Sequence, residues 1–157
     1  MKIPLMNLDR LHKKIRPELD KAIAAIIDQS HFINGPELKQ FEGEFAKASG
    51  LKHAIGCANG TDAITVLLKA LGIGAGDEVI VPTMTFIASS EAVSVLGAKV
   101  VFADSKPGDY TIDPEQIKKL ITKKTKAIIA VHLHGNPADM TQICAIAKKH
   151  NIVVIED

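Results

Sequence analysis

Residues 76–104 read GDEVIVPTMTFIASSEAVSVLGAKVVFAD. Two short apolar runs, Glu78–Val81 and Lys99–Ala103, flank a segment whose apolar residues recur at helical spacing over about 86–96. Each run is continuous rather than alternating, which is the pattern of a strand buried on both faces. Pro82 stops the first run, and Asp104 follows the second. Strand, helix and strand in that order make a parallel unit with a crossover helix.

The same rhythm extends in both directions. Downstream, Asp113 reads as a helix N-cap with Pro114 at the first helical position, so a helix is expected to about residue 122. A strand is expected over Ala127–His132, a helix over Asp139–His150 and a strand over Ile152–Ile155. Upstream, Ala54–Ala58 reads as a short buried strand. A helix is expected over 61–71, with Ile64, Leu67, Leu68 and Leu71 as its stripe and Gly72, Gly74 and Gly76 at its end. The expected fold class is α/β, a three-layer and mostly parallel sheet with helices on both faces. Right-handed crossovers put the loops after the strands along one edge, where ligands of open α/β sheets bind.

The front of the chain reads differently. Leu8, Leu11, Ile15, Leu19, Ile23 and Ile26 keep helical spacing, and Pro17 followed by Glu18 suits a helix start, so a helix is expected over 17–29. Asn34-Gly35-Pro36 is a turn. Pro36 opens a second helix carrying Leu38, Phe41 and Phe45, which Gly50 closes. The expected division is a helical segment over 1–50 and an α/β region over 51–157.

With 46% apolar residues the 157-residue chain can bury a core. Nineteen basic against eighteen acidic residues argue against a dedicated partner of nucleic acid or anionic membrane. Cys57 and Cys144 make no disulfide framework, so a reducing compartment is expected. No apolar run approaches the roughly 18 residues of a membrane span, and no signal-peptide pattern opens the chain. A cytoplasmic protein is expected.

Asn59-Gly60-Thr61-Asp62 joins an expected strand to an expected helix. Backbone N–H groups of Thr61 and Asp62 at a helix N-terminus suit a phosphate, although ordinary capping explains the same residue types. No Gly-Lys-Ser/Thr follows, and there is no GxGxxG to support a dinucleotide enzyme such as a dehydrogenase or epimerase. Phe86 falls between strand and helix, where its ring can cover a flat ligand or simply join the core. Asp157 follows four aliphatic residues at a strand end. It is either solvated there or paired with a cation such as a protonated pyridine nitrogen. His132 and His134 end another strand, and Asn136 follows. His-x-His lacks a third ligand at suitable spacing, so a pocket or structural role is expected rather than a metal. His12, His31, His53 and His150 read as surface residues.

Taken in order, FINGPELKQFEGEFAKASGLKHAIGCANGTDAI, GIGAGDEVIVPTMTFIASSEAV, LGAKVVFAD, TIDPEQI, TKKTKAIIAVHLHGNPADM and HNIVVIED resemble the successive landmarks of the DegT-type nucleotide-sugar aminotransferases. These are pyridoxal-phosphate (PLP) enzymes of the aspartate-aminotransferase fold. The resemblance runs from about Pro4 to Asp157. It implies that Gly60, Thr61 and Asp62 bind the phosphate of PLP, that Phe86 stacks on its ring, and that Asp157 meets the ring nitrogen. It implies an amino donor, glutamate, a nucleotide-linked keto-sugar as acceptor, and a homodimer. CANGTDA leans toward a 3-keto or uronic-acid sugar. In the family a glutamine and then the Schiff-base lysine come after the Glu-Asp landmark, past residue 157. The chain is therefore expected to be the N-terminal part of such an enzyme and inactive alone. A non-catalytic, regulatory relative that binds PLP or a nucleotide sugar is the other reading, and a fragment that binds nothing is the third.

Overall fold

A computed structural model describes Pro4 and residues 6–157, and the chain divides into two compact units, one ending at Gly56 and the other running from Cys57 to Asp157.

The first unit holds α1 (Asp9–Gln29) and α2 (Pro36–Ala48). Helix α1 starts eight residues before the expected Pro17, which lies inside it. The apolar spacing of Leu11 and Ile15 runs unbroken into Leu19, and Arg16 and Asp20 form an ion pair across the proline at 2.7 Å. One missing N–H does not end a helix so supported. Pro36 opens α2 as expected, at the position where a missing N–H costs nothing. Residues 54–58 form no strand. No strand among the described residues pairs with them, so an apolar run without a ladder partner stays irregular. The Gly56 N–H is met instead by Glu42 Oε1 at 2.7 Å.

The second unit runs α3 (Gly60–Ala70), β1 (Glu78–Pro82), α4 (Ala88–Ser94), β2 (Lys99–Ala103), α5 (Pro114–Leu120), β3 (Thr125–Ala130), α6 (Met140–His150) and β4 (Val153–Glu156). The four strands form one parallel sheet in the order β2-β1-β3-β4. Alternation along the strands sends Val79, Val81, Ala127, Ile129 and Ile155 to one face, against Ile64 and Leu68 of α3 and Ala92 and Val93 of α4. Ile80, Ile128 and Ala130 point to the other, against Ile117 of α5 and Ile143 and Ile146 of α6. This is the three-layer α/β fold expected, with both sheet faces covered.

Several boundaries near the sheet edge differ from expectation. Strand β3 is framed by its pairing, from Thr125 opposite Glu78 to Ala130 opposite Glu156, so His132 lies beyond its end. Helix α4 begins at Ala88, which leaves Phe86 in the loop before it. Strand β4 closes at Glu156, one residue later than expected.

Candidate active site

Strands β1, β3 and β4 end at Pro82, Ala130 and Glu156 on one edge of the sheet. Helix α3 leads from that edge back to the start of β1, so its N-terminus lies there too. Asn59 caps α3 in extended conformation: its Oδ1 accepts from Asp62 N–H at 2.9 Å, and its Nδ2 donates to Asp62 Oδ2 at 3.0 Å. The cap takes the Asp62 amide that the sequence offered to a phosphate. Two first-turn amides, Gly60 and Thr61, have no acceptor among the described residues. A Cβ added at Gly60 would meet nothing within 4 Å, so the space in front of the turn is open. Beside it, Thr61 and Asp62 of α3 and Glu91 and Val95 from α4 and its end line a shallow groove.

Phe86 is 76% exposed in the β1–α4 loop, outside both core clusters. Its carbonyl accepts from Ser89 N–H at 3.3 Å. The Ser89 hydroxyl then reaches across to the end of β4 and donates to Asp157 Oδ2 at 2.8 Å. Phe86 and Asp157 are thus joined through one residue of α4. The Asp157 backbone continues the ladder, its N–H donating to Ala130 and its carbonyl accepting from His132 N–H, both at 2.8 Å. Asp157 Oδ1 has no partner among the described residues.

His132 has both ring nitrogens engaged. Nδ1 accepts from Ala138 N–H at 3.1 Å, so in the neutral ring the proton sits on Nε2, which faces Glu156 Oε2 at 3.0 Å. Asn136 donates through Nδ2 to the carbonyl of Asp109 at 3.0 Å, tying the loop after β3 to the loop after β2. The Asp109 carboxyl is held below its ordinary range by the Thr111 hydroxyl and N–H. His134 stands exposed at φ 55°, a left-handed conformation uncommon for non-glycine residues but one that histidine adopts more often than most.

A larger concavity, about 550 Å³, lies at the opposite edge of the sheet between Thr122, Lys126 and His150. No carboxylate among the described residues lines it, and Asn59, Phe86, His132 and Asp157 lie at the other edge. Sequence reasoning missed Ser89 and Thr85. Ser89 and Asp157 lie 68 positions apart, and no local pattern marks a helix serine as the partner of a strand-end acid.

Two free amides at a helix N-terminus and an aspartate oxygen without a partner suit a ligand that is anionic at one end and cationic at the other. The fold defines the class: it is that of the PLP-dependent aminotransferases. DesV of Streptomyces venezuelae, solved in complex with a ketimine intermediate, superposes with a TM-score of 0.96 at 42% identity, over 99% of this chain and 42% of that one. NtdA of Bacillus subtilis, solved with bound cofactor PMP (pyridoxamine phosphate), does so with a TM-score of 0.94 at 36% identity, over 99% of this chain and 36% of that one. The chain belongs to the DegT/DnrJ/EryC1/StrS aminotransferase family, which it matches over residues 13–157. It is 48% identical over 155 residues to a UDP-N-acetyl-3-dehydro-alpha-D-glucosamine 3-aminotransferase of Acidithiobacillus ferrooxidans, covering 99% of this chain and 42% of that protein. It is 45% identical over its whole length to a pleiotropic regulatory protein of Geobacillus stearothermophilus, again covering 42% of that protein. The chain thus spans about two-fifths of the length of these curated relatives.

Proposed function

We propose that the protein containing this chain is a PLP-dependent aminotransferase that moves an amino group from glutamate to a nucleotide-linked keto-sugar. The observation that carries this reading is the pairing of free Gly60 and Thr61 amides with the Ser89-held carboxylate of Asp157 on one sheet edge. When bound, PLP supplies an electron sink for the carbon that carries the amine. Gly60 and Thr61 would hold its phosphate end through their free amides, while Asp62, whose amide the Asn59 cap takes, fixes the turn. Phe86 covers one face of the ring. Asp157, as an anion, keeps the proton on the ring nitrogen. His132, His134 and Asn136 border the sugar pocket, and of these His134 and Asn136 are exposed and His132 is half-buried. The names of relatives support amination at the 3-position. Besides the Acidithiobacillus protein, they include a UDP-2-acetamido-2-deoxy-3-oxo-D-glucuronate aminotransferase of Pseudomonas aeruginosa, 43% identical. No helix among the described residues is long and apolar enough to cross a membrane.

On this reading the chain contributes the phosphate, face and nitrogen contacts, and catalysis further needs the lysine that carries the cofactor. The test is an absorbance spectrum over about 300–450 nm with added PLP, for this chain and for the complete protein. A band that borohydride fixes in the complete protein alone is the expected result. In that complete protein Asp157→Ala should cut turnover by at least a hundredfold with the far-UV circular dichroism unchanged, and near-normal turnover refutes the role given to Asp157. The likeness to a pleiotropic regulatory protein favours one second reading, a non-catalytic member that binds PLP or a nucleotide sugar. Absence of the borohydride-fixed band from both proteins would select it.

A further inference from the structure

Ser89 is 1% exposed, between Ala88 and Ser90 on a helix whose neighbouring buried positions are Ala92 and Val93. An alanine would fill that place without burying a hydroxyl, and a buried hydroxyl is unfavourable unless it is hydrogen-bonded. The Ser89 hydroxyl has one proton and two neighbours. Asp157 Oδ2, at 2.8 Å, can only accept when ionised, so the proton goes there. Thr85 Oγ1, at 3.2 Å, must then be the donor to Ser89. The result is a directed line, Thr85 to Ser89 to Asp157, in which each hydroxyl polarises the next. It begins in the β1–α4 loop and ends on one oxygen of the strand-end carboxylate.

We propose that Ser89 is a positioning residue: its buried hydroxyl, oriented by Thr85, locks Asp157 through Oδ2 and so presents Oδ1 to the ring nitrogen of the cofactor. This rests on the aminotransferase reading above. A carboxylate at an exposed strand end is otherwise free to turn about its side-chain bonds. With Oδ2 tied to a helix packed in the core, Oδ1 has one direction left. Ser89 touches neither cofactor nor substrate; it acts through Asp157.

Two effects of removing the hydroxyl oppose each other, which makes the sign of the result decisive. Loss of position weakens the contact of Asp157 with the ring nitrogen. Loss of a donor leaves more of the carboxylate's charge free to meet the ring proton, which strengthens it. The positioning role requires the first to win. The experiment uses the complete protein loaded with pyridoxamine phosphate carrying ¹⁵N in its ring, and follows the ring-nitrogen chemical shift against pH. Ser89→Ala, and Ser89→Cys with its similar volume and weak donor, should each lower the pH of ring deprotonation by about one unit. That is the tenfold effect of one lost charge-assisted hydrogen bond. Ser89→Thr, which keeps the hydroxyl, should restore the original titration. If Ser89→Ala does not fold, Ser89→Cys carries the test. An unchanged or raised deprotonation pH in the Ala and Cys variants overturns the proposal, even if their melting temperatures fall, because a purely structural serine moves stability and not the titration. Asp157→Asn is run beside them. If it too leaves the titration unchanged, the placement of Asp157 against the ring fails, and the aminotransferase reading of this edge with it. If it shifts the titration while the Ser89 variants do not, only the role of Ser89 is refuted.

Discussion

Replacing Asn59 with alanine isolates the turn that the site depends on. The Asn59 side chain accepts the Asp62 N–H at 2.9 Å, in the extended conformation of an N-cap, and its second contact is to the exposed Asp62 carboxylate at 3.0 Å. Loss of an asparagine cap costs about 1 kcal/mol, and the second contact, open to solvent, adds little. Fraying limits the cost. The residues from Gly60 to Ala63 can unwind before Ile64, 5% exposed, is pulled from the core, so the helix cannot lose more than its first turn. With a urea dependence of about 1–3 kcal/mol per molar, a loss of about 1 kcal/mol lowers the unfolding midpoint by about 0.3–1 M. The assay is urea unfolding of the chain followed by far-UV circular dichroism. Asn59→Gly should cost only a few tenths of a kcal/mol, because glycine leaves the amide open to water. If Asn59→Ala matches the wild type, or if Gly is as costly as Ala, the cap is not what holds this turn.

Two further perturbations test the frame behind the site. Glu78, at the start of β1, accepts from the Thr122 hydroxyl at 2.6 Å and from Lys99 Nζ at 3.0 Å. These donors, the hydroxyl first, hold its carboxyl below the ordinary value. A depressed folded value stabilises the fold above the ordinary glutamate value of about 4.3 and loses that contribution as pH falls below it. Thr122→Val should therefore lower the urea midpoint more at pH 6 than at pH 3, and an equal loss at both would show that the contact is not ionic. Ile143, fully buried between α6 and the sheet, should cost about 2–5 kcal/mol when cut to alanine. A loss below about 1 kcal/mol in the same unfolding assay would mean that this face is not packed as described.

What the sequence disclosed follows from which interactions are local. The β1 run announces itself because a strand covered on both faces must be apolar throughout, and Val79, Ile80 and Val81 are all fully buried, whereas β2 has the same apolar pattern but lies at the edge of the sheet with Phe102 55% exposed. Helices α5 and α6 announce their starts through Asp113 and Asp139, whose side chains accept from Glu115 and Gln142 N–H. The run at 54–58 is also apolar but has no partner strand among the described residues, and a ladder needs a neighbour that no local pattern can promise. Pro17 misled for the opposite reason. The flanking apolar stripe and the Arg16–Asp20 pair outweigh one missing hydrogen bond. At the candidate site, the Asn-Gly-Thr-Asp turn was legible as a helix start, but not which of its amides stay free. That depends on the cap choosing Asp62. The contacts Ser89–Asp157 and His132–Glu156 were not legible, because each joins segments at least 24 positions apart that only the finished sheet brings together.

These long-range contacts divide the edge into two supports with different physical bases. Around β3 and β4 the support is polar: ladder bonds through Asp157 and the His132–Glu156 contact fix where the strand ends lie. On the other side it is the packing of one short helix. Ala92 and Val93 of α4 are fully buried against the sheet, and the same helix carries Ser89 to Asp157 and sets Glu91 beside the first turn of α3. A shift of α4 would therefore move the hydroxyl that holds the aspartate and the groove beside the free amides together. A close-packed core resists small displacements because its contacts fall off steeply with distance. The polar contacts then need only choose orientation, which one hydroxyl and one backbone ladder can do.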